Sequence, residues 1–383
     1  MSSAKPHPSF DAPSGQAPSI NRRHALLAAA AAVLLAAAAF TLIGHAADFG
    51  RLQRSAARAD RPWLAVCLAG QILSYLGYIL AYRDAARASG GPRFGLGVVA
   101  RVVIFGSGAS VLGASVGGLA VDYWALRRTG TGAHTAARRV LALGTIEWTV
   151  LSAYACSAAA LALITGTPAP LPMAVGWLVI VPACVLGARW CTSPRRVRRF
   201  TDPPPAPAQC ADRQVHVRVL VRTREHLRAA LGDAIAGVLL VRHLLSHPPR
   251  YPGATLGYPI YWAADMLTLY AALRAFGAHP NVITMVLAYA TSYVISALPL
   301  PAGGAGGIEA GISLALHAVG IPLAPALLAA FVYRVFTFWL PIVPALALLP
   351  SVHQLRDQLP SIPHSDPDSD VGLDFRWIGD REP

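Results

Sequence analysis

The sequence predicts an all-α integral membrane protein with about seven or eight transmembrane helices, one or two of them glycine-broken or re-entrant, built as a two-fold internal repeat. Three observations carry this. Apolar residues make up 55% of the 383-residue chain and charged residues only 13%, where a soluble domain carries about 25% charged. Several apolar runs reach the ~18–20 residues that cross a ~30 Å hydrocarbon core. Finally, a pattern of glycines and charges in one half returns in the other.

The charge balance fits the same class. A net charge of +13 would point to a nucleic-acid partner in a soluble protein. Here the arginines crowd into short loops and one linker, as the positive-inside rule requires of a membrane chain. No nucleic-acid partner is expected. The five cysteines (Cys67, Cys156, Cys184, Cys191 and Cys210) contain no CxxC pair. Neither a disulfide framework nor a metal site follows from them, and no cofactor is expected.

Residues 1–24 form a Ser-, Pro- and Ala-rich tail expected to be disordered. Arg22 and Arg23 precede the first apolar run, Ala25–Gly44. This start resembles a signal peptide, but the run is longer than the ~7–15 residues of a typical apolar region there. An uncleaved first span with its N-terminus inside is the expectation. Ala46–Arg61 reads as an amphipathic connector, because Arg51, Arg54 and Arg58 share a helix face. A second span covers Trp63–Tyr82.

Phe94–Leu126 is apolar yet carries seven glycines, with arginines flanking both ends. It reads as a re-entrant helical hairpin; a single long span is the alternative. Spans at Val140–Ile164 and Met173–Ala188 complete a first transmembrane half, residues 25–188. Residues 189–228 form a basic linker expected in the cytoplasm, with Arg195, Arg196, Arg198 and Arg199 in one cluster. The second half, 229–350, has spans near Leu231–Leu245, Leu256–Phe276, Val282–Leu298, Ile308–Val319 and Leu323–Leu349. Residues 351–383 read as a disordered tail.

The segment Leu298–Glu309 is a Pro/Gly-rich break with a carboxylate, set between apolar runs. Hydrocarbon tolerates neither open backbone nor lone charge, so it must be buried in protein or line a wet cavity. Arg334 follows Glu309 inside the next apolar run. In the first half Gly117 and Gly118 precede Asp122, and Glu147 follows Asp122 at the spacing that separates Arg334 from Glu309. Each half thus holds glycines, an acid, then a charge in the next helix. Repeat-built transporters place substrate at such breaks.

These residues make the candidate site. The planar fork of Arg334 matches phosphate oxygens. Glu309 suits a cationic headgroup or a proton, or holds Arg334 when the site is empty; a purely structural ion pair is the alternative. The glycine breaks let a helix begin inside the membrane with its N–H groups facing an anion, or serve close helix packing. Glu147 is a candidate partner of Arg101 or Arg127. Asp265 is a candidate relay group or a satisfied buried acid. No GxSxG, HExxH or P-loop motif is present, so an enzyme is the less favoured reading; the alternatives to a lipid translocase are an accessory subunit that presents a lipid-linked substrate to a separate enzyme and an intramembrane lipid transferase. Glu309→Gln and Arg334→Ala are expected to abolish function with expression intact.

The motif Pro299-x-Pro301-x-Gly303-Gly304-x-Gly306-x-x-Glu309, then Gly320-Ile321-Pro322, then Tyr333-Arg334, resembles the lysylphosphatidylglycerol synthase transmembrane-region family, which is flippase-like. Gly117-Gly118-x-x-x-Asp122-Tyr123-Trp124-Ala125-Leu126-Arg127-Arg128 and Glu147 are similar to its N-terminal signature. The resemblance covers residues 25–350. Leu119 and Asp122 stand where many members have an acid and an arginine, and Trp148 follows Glu147 where many have arginine. The resemblance implies the lipid-translocating region without the aminoacyl-transferase domain of full-length members. It implies a membrane phospholipid or polyprenyl-phosphate lipid as partner, pairing with a separate lipid-modifying enzyme as an alternative, and a cell-membrane location; Lys5 is the only lysine, an arginine bias that suggests a GC-rich bacterial genome. The site residues it implies are Pro301, Gly303, Gly304, Gly306, Gly307, Glu309, Tyr333 and Arg334, with Gly117, Gly118, Asp122, Arg127 and Glu147 in the first half.

Overall fold

The computed structural model describes residues 22–47, 49–57, 59–113, 115–193, 215–297 and 304–348. Among these the chain is helical without strands. The helices are α1 (Arg22–Ala47), α2 (Phe49–Ala57), α3 (Pro62–Arg87), α4 (Leu96–Gly113), α5 (Ser115–Arg128), α6 (Ala133–Thr165), α7 (Leu171–Cys191), α8 (Val215–Ser246), α9 (Pro252–Ala275), α10 (Val282–Tyr293), α11 (Gly307–Ala318), α12 (Leu323–Arg334) and α13 (Leu340–Leu348). A π-helical turn, Val335–Trp339, joins α12 to α13.

Four described stretches are long and apolar enough to cross a membrane: 62–90, 133–165, 171–191 and 323–348. Shorter apolar helices, 30–42, 96–110 and 282–297, accompany them. Large apolar side chains such as Leu34, Leu42, Ile164, Leu171, Leu186 and Val343 stand exposed on outer faces, where lipid rather than water satisfies them. The expected tails lie almost wholly outside the described residues, as does the middle of the 189–228 linker. Its last residues are already helical: α8 begins at Val215, well before the span expected from Leu231.

The Gly-rich stretch forms a helical hairpin. α4 and α5 run antiparallel, and glycines let them touch: a Cβ on Gly117 would lie 2.3 Å from the Ala109 carbonyl oxygen, and one on Gly118 meets Gly106 and Ser110. In the second half, α10 and α11 pack the same way, with Gly311 against Ser292 and Ile295.

The two halves superpose in sequence register. The offset in residue number from Asp122 to Glu309 equals that from Glu147 to Arg334. That single offset carries α3 onto α9, α4 onto α10, α5 onto α11, and α6 onto the α12–α13 helix. Packing obeys it too. α6 lies against α10, and α13 against α4. At the centre α3 and α9 cross antiparallel: Gly70 meets Ala264, and its counterpart Gly257 meets Gly77. A two-fold that exchanges antiparallel helices lies perpendicular to both. The repeats are therefore inverted relative to one another, the arrangement found in many transporters.

Asp84 fixes one end of this crossing. Its Oδ2 accepts from the Gly253 and Ala254 N–H groups at 2.6 and 3.1 Å, and Oδ1 pairs with Arg87 at 2.8 Å. It caps the orphan donors that begin α9. Asp84→Ala is expected to lower stability by about 1–3 kcal/mol, since buried N–H groups lose their acceptor; a thermal melt of purified protein checks this. A second tie joins α6 to α8, where Asp233 accepts from Arg138 at 2.8 Å and lies 2.8 Å from His134.

Candidate functional site

Two hydrophobic clusters, one around α9–α12 and one around α3–α6, leave a cavity of about 410 Å³ between the repeats. Both repeats build it in matching positions. Tyr78 and Asp265, Gly106 and Tyr293, Ser110 and Ala297, and Glu147 and Arg334 all line it, and one offset in residue number relates every pair. The inner ends of both hairpins reach it, through Ser110 and Gly118 on one side and Ser296 and Ala297 on the other.

Arg334 is the cation of this site. It closes α12, its Nε donates to Glu309 Oε1 at 3.2 Å, and its Cζ lies 4.1 Å from the centre of the Phe338 ring. Phe338 belongs to the π-helical turn that follows, a local widening often found at functional positions. Tyr333, Arg334, Thr337 and Phe338 all face the cavity from this stretch of helix.

Glu309 sits behind the arginine. It is 0% exposed and is not part of the cavity wall. Its Oε2 accepts from the Gly306 N–H at 2.7 Å, so the carboxylate caps the first turn of α11. Gly306 has φ +82°, and a Cβ there would lie 2.5 Å from the Leu35 carbonyl oxygen. Only glycine fits on both counts. Gly304 is also buried at positive φ, and Gly307 opens the helix. Pro301 and Gly303 lie outside the described residues.

The acids are held differently. Asp122 accepts from the Tyr78 hydroxyl at 2.7 Å, and Tyr82 bonds its carbonyl at 3.2 Å. Asp265 accepts from the hydroxyls of Tyr289 and Tyr333 on one oxygen. Glu147 offers its backbone carbonyl to Trp262 Nε1 at 2.8 Å. Its carboxylate lines the cavity without a hydrogen bond to any described residue. Of the two expected partners, neither Arg101 nor Arg127 is part of the wall, and the Arg127 guanidinium donates to the Thr131 carbonyl at the far end of α5. Gly117 serves hairpin contact, while Gly118 lines the cavity.

Sequence reasoning missed the aromatic and amide part of the wall. Gln71, Tyr75, Tyr78, Tyr261 and Tyr293 all face the cavity. On apolar helices such residues read as packing. The usable signal was position: Tyr78 stands on α3 where Asp265 stands on α9. Among the described residues no group of His, Cys, Asp or Glu is placed to hold a metal ion.

The cavity thus joins one arginine, three carboxylates and several tyrosines in a water-accessible volume between inverted repeats. Residues 27–345 match the family model described as the lysylphosphatidylglycerol synthase TM region. No curated protein matches the chain significantly. On the strength of a match over most of its length, the chain belongs to the lysylphosphatidylglycerol synthase TM region family.

Proposed function

We propose that this multi-pass membrane protein is a flippase-like lipid translocase that takes a phospholipid or polyprenyl-phosphate headgroup into the cavity between its repeats. The observation that carries the reading is the pairing of Arg334 with an acid- and tyrosine-lined wall in one cavity. A guanidinium recognises phosphate oxygens. Tyrosine faces and carboxylates suit a cationic group attached to that phosphate. The cavity volume of about 410 Å³ lies in the range of small-molecule sites. Movement of one repeat against the other would expose the headgroup site alternately.

The protein would reside in the bacterial cell membrane with its N-terminus and the 189–228 linker in the cytoplasm. The clustered arginines of that linker support this side. Reporter fusions before Arg22 and within 200–210 are expected to report a cytoplasmic position for both.

Gly144 offers a clean test. It lines the cavity, and a Cβ there meets nothing within 4 Å. Gly144→Leu should fill the cavity without straining α6, and leucine favours helix over glycine by about 1 kcal/mol. Native mass spectrometry of the purified chain is expected to show a retained phospholipid in wild type and its loss in Gly144→Leu, with an unchanged melting temperature. Flipping assays with the retained lipid follow. Equal lipid in both proteins would remove the cavity from consideration as the headgroup site. Selective binding without any flipping would favour an accessory subunit that presents lipid to a separate enzyme.

A further inference from the structure

The inverted repeat exposes an imbalance in the cavity. In the second half, Glu309 faces Arg334 as acid to base. The residues at the equivalent positions of the first half, Asp122 and Glu147, are both acids. Both line the cavity and act on each other electrostatically. Asp122 has the hydroxyl of Tyr78 as donor. The Glu147 carboxylate has no hydrogen-bond donor among the described residues.

A second observation points the same way. Gln71 lies on the cavity wall and is 7% exposed, and its carbonyl Oε1 is buried with no partner. An acceptor left open on a wall that also carries two carboxylates marks a place short of protons or cations. No second cation lines this wall: Arg139 on α6 donates to the Ala88 carbonyl at 3.0 Å, and Arg101 on α4 is not part of the wall. On α3, Tyr75 and Tyr78 face this wall; on α9, Tyr258, Tyr261 and Asp265 approach it; on α10, Tyr293 does. Across the cavity Tyr333 is bound to Asp265, and the charge of Arg334 is engaged by Glu309. α7 leaves Cys184, Cys191 and Arg189 exposed. α8 presents Asp233 to His134 and Arg138, whose Cα atoms lie about 13 Å or more from Glu147 along α6.

Two carboxylates on one wall, away from the Arg334–Glu309 pair, repel each other when both are ionised, which favours a proton on one of them. We propose that Asp122 and Glu147 form a proton-binding site on the first-repeat side of the cavity, which holds a proton at neutral pH and exchanges it as the cavity fills and empties. Gln71 Oε1 accepts from the protonated carboxyl. The exchange rests on the translocase reading; the proton site itself does not. If both stand, lipid movement runs on the proton gradient, with headgroup phosphate at Arg334 and the proton at Glu147.

The test is infrared difference spectroscopy of the purified full-length protein in nanodiscs, titrated from acidic to alkaline buffer. Wild type should show a protonated-carboxyl band at neutral pH that vanishes on alkalinisation. Glu147→Gln and Asp122→Asn, which mimic the protonated form and keep its shape, should each remove that band. Glu309→Gln should retain it. Melting curves of the same samples confirm folding. Absence of the band in wild type, or its survival in both first-repeat variants, would overturn the proposal. So would loss of the band on adding sodium chloride in place of potassium chloride at fixed pH, which would assign the site to sodium. The spectrum does not depend on lipid movement, so a failed flipping assay and a failed proton site are read separately.

Discussion

Arg334→Gln is expected to cost about 3–5 kcal/mol of stability, because it leaves the buried Glu309 carboxylate without its counter-charge. The sequence alone leads to a different expectation, loss of function with intact expression. Burial changes it. Glu309 is 0% exposed, caps α11 through the Gly306 N–H, and receives Arg334 Nε at 3.2 Å. Glu309→Gln is the milder change. Its amide oxygen still accepts from Gly306, and Arg334 stays beside the acidic cavity with Asp265 near it. The double variant removes both charges and should recover most of the stability lost by Arg334→Gln while still failing to hold lipid phosphate. Thermal unfolding of all four proteins completes the cycle. A double variant no more stable than Arg334→Gln would show that Arg334 supports the fold by some contact other than the ion pair.

Gly77→Ala and Gly257→Ala are expected to be equally and severely damaging, at about 3 kcal/mol or more each. A Cβ on Gly77 would lie 2.5 Å from the Gly257 carbonyl oxygen, and a Cβ on Gly257 would lie 2.5 Å from that of Gly77. Backbone atoms on both sides leave no flexible side chain to yield, so the helices must separate. Close approach of this kind is what small residues provide at membrane helix crossings. Gly176→Ala on α7 is the control, since a Cβ there meets nothing within 4 Å. Yield of monodisperse protein and melting temperature provide the measurement. Tolerance of either crossing variant would mean that α3 and α9 do not meet as closely as this, and with it would go the axis that relates the two repeats.

The Gln71, Tyr78 and Tyr261 positions show why only part of the site was legible. Charges inside apolar runs stand out because hydrocarbon makes them costly. Glu147, Glu309 and Arg334 were therefore visible. A tyrosine or glutamine on an apolar helix carries no such signal, since packing explains it equally well. The glycines of the central helix pair had no reading either, because a glycine that meets a backbone from the other half of the chain looks like any other.

Membrane class, helix content, the break after α10 and the equal spacing of charges in the two halves are all written along the chain. They are local properties: apolar run length, glycine and proline punctuation, and periodic placement. Packing in three dimensions set the rest. It inverted the halves, put Glu309 behind the wall in support of Arg334, and brought Asp122 and Glu147 into one cavity while leaving Arg127 outside it. Such facts depend on which helices cross and in which direction. Contacts between residues far apart in the chain set that geometry, and no local pattern records them.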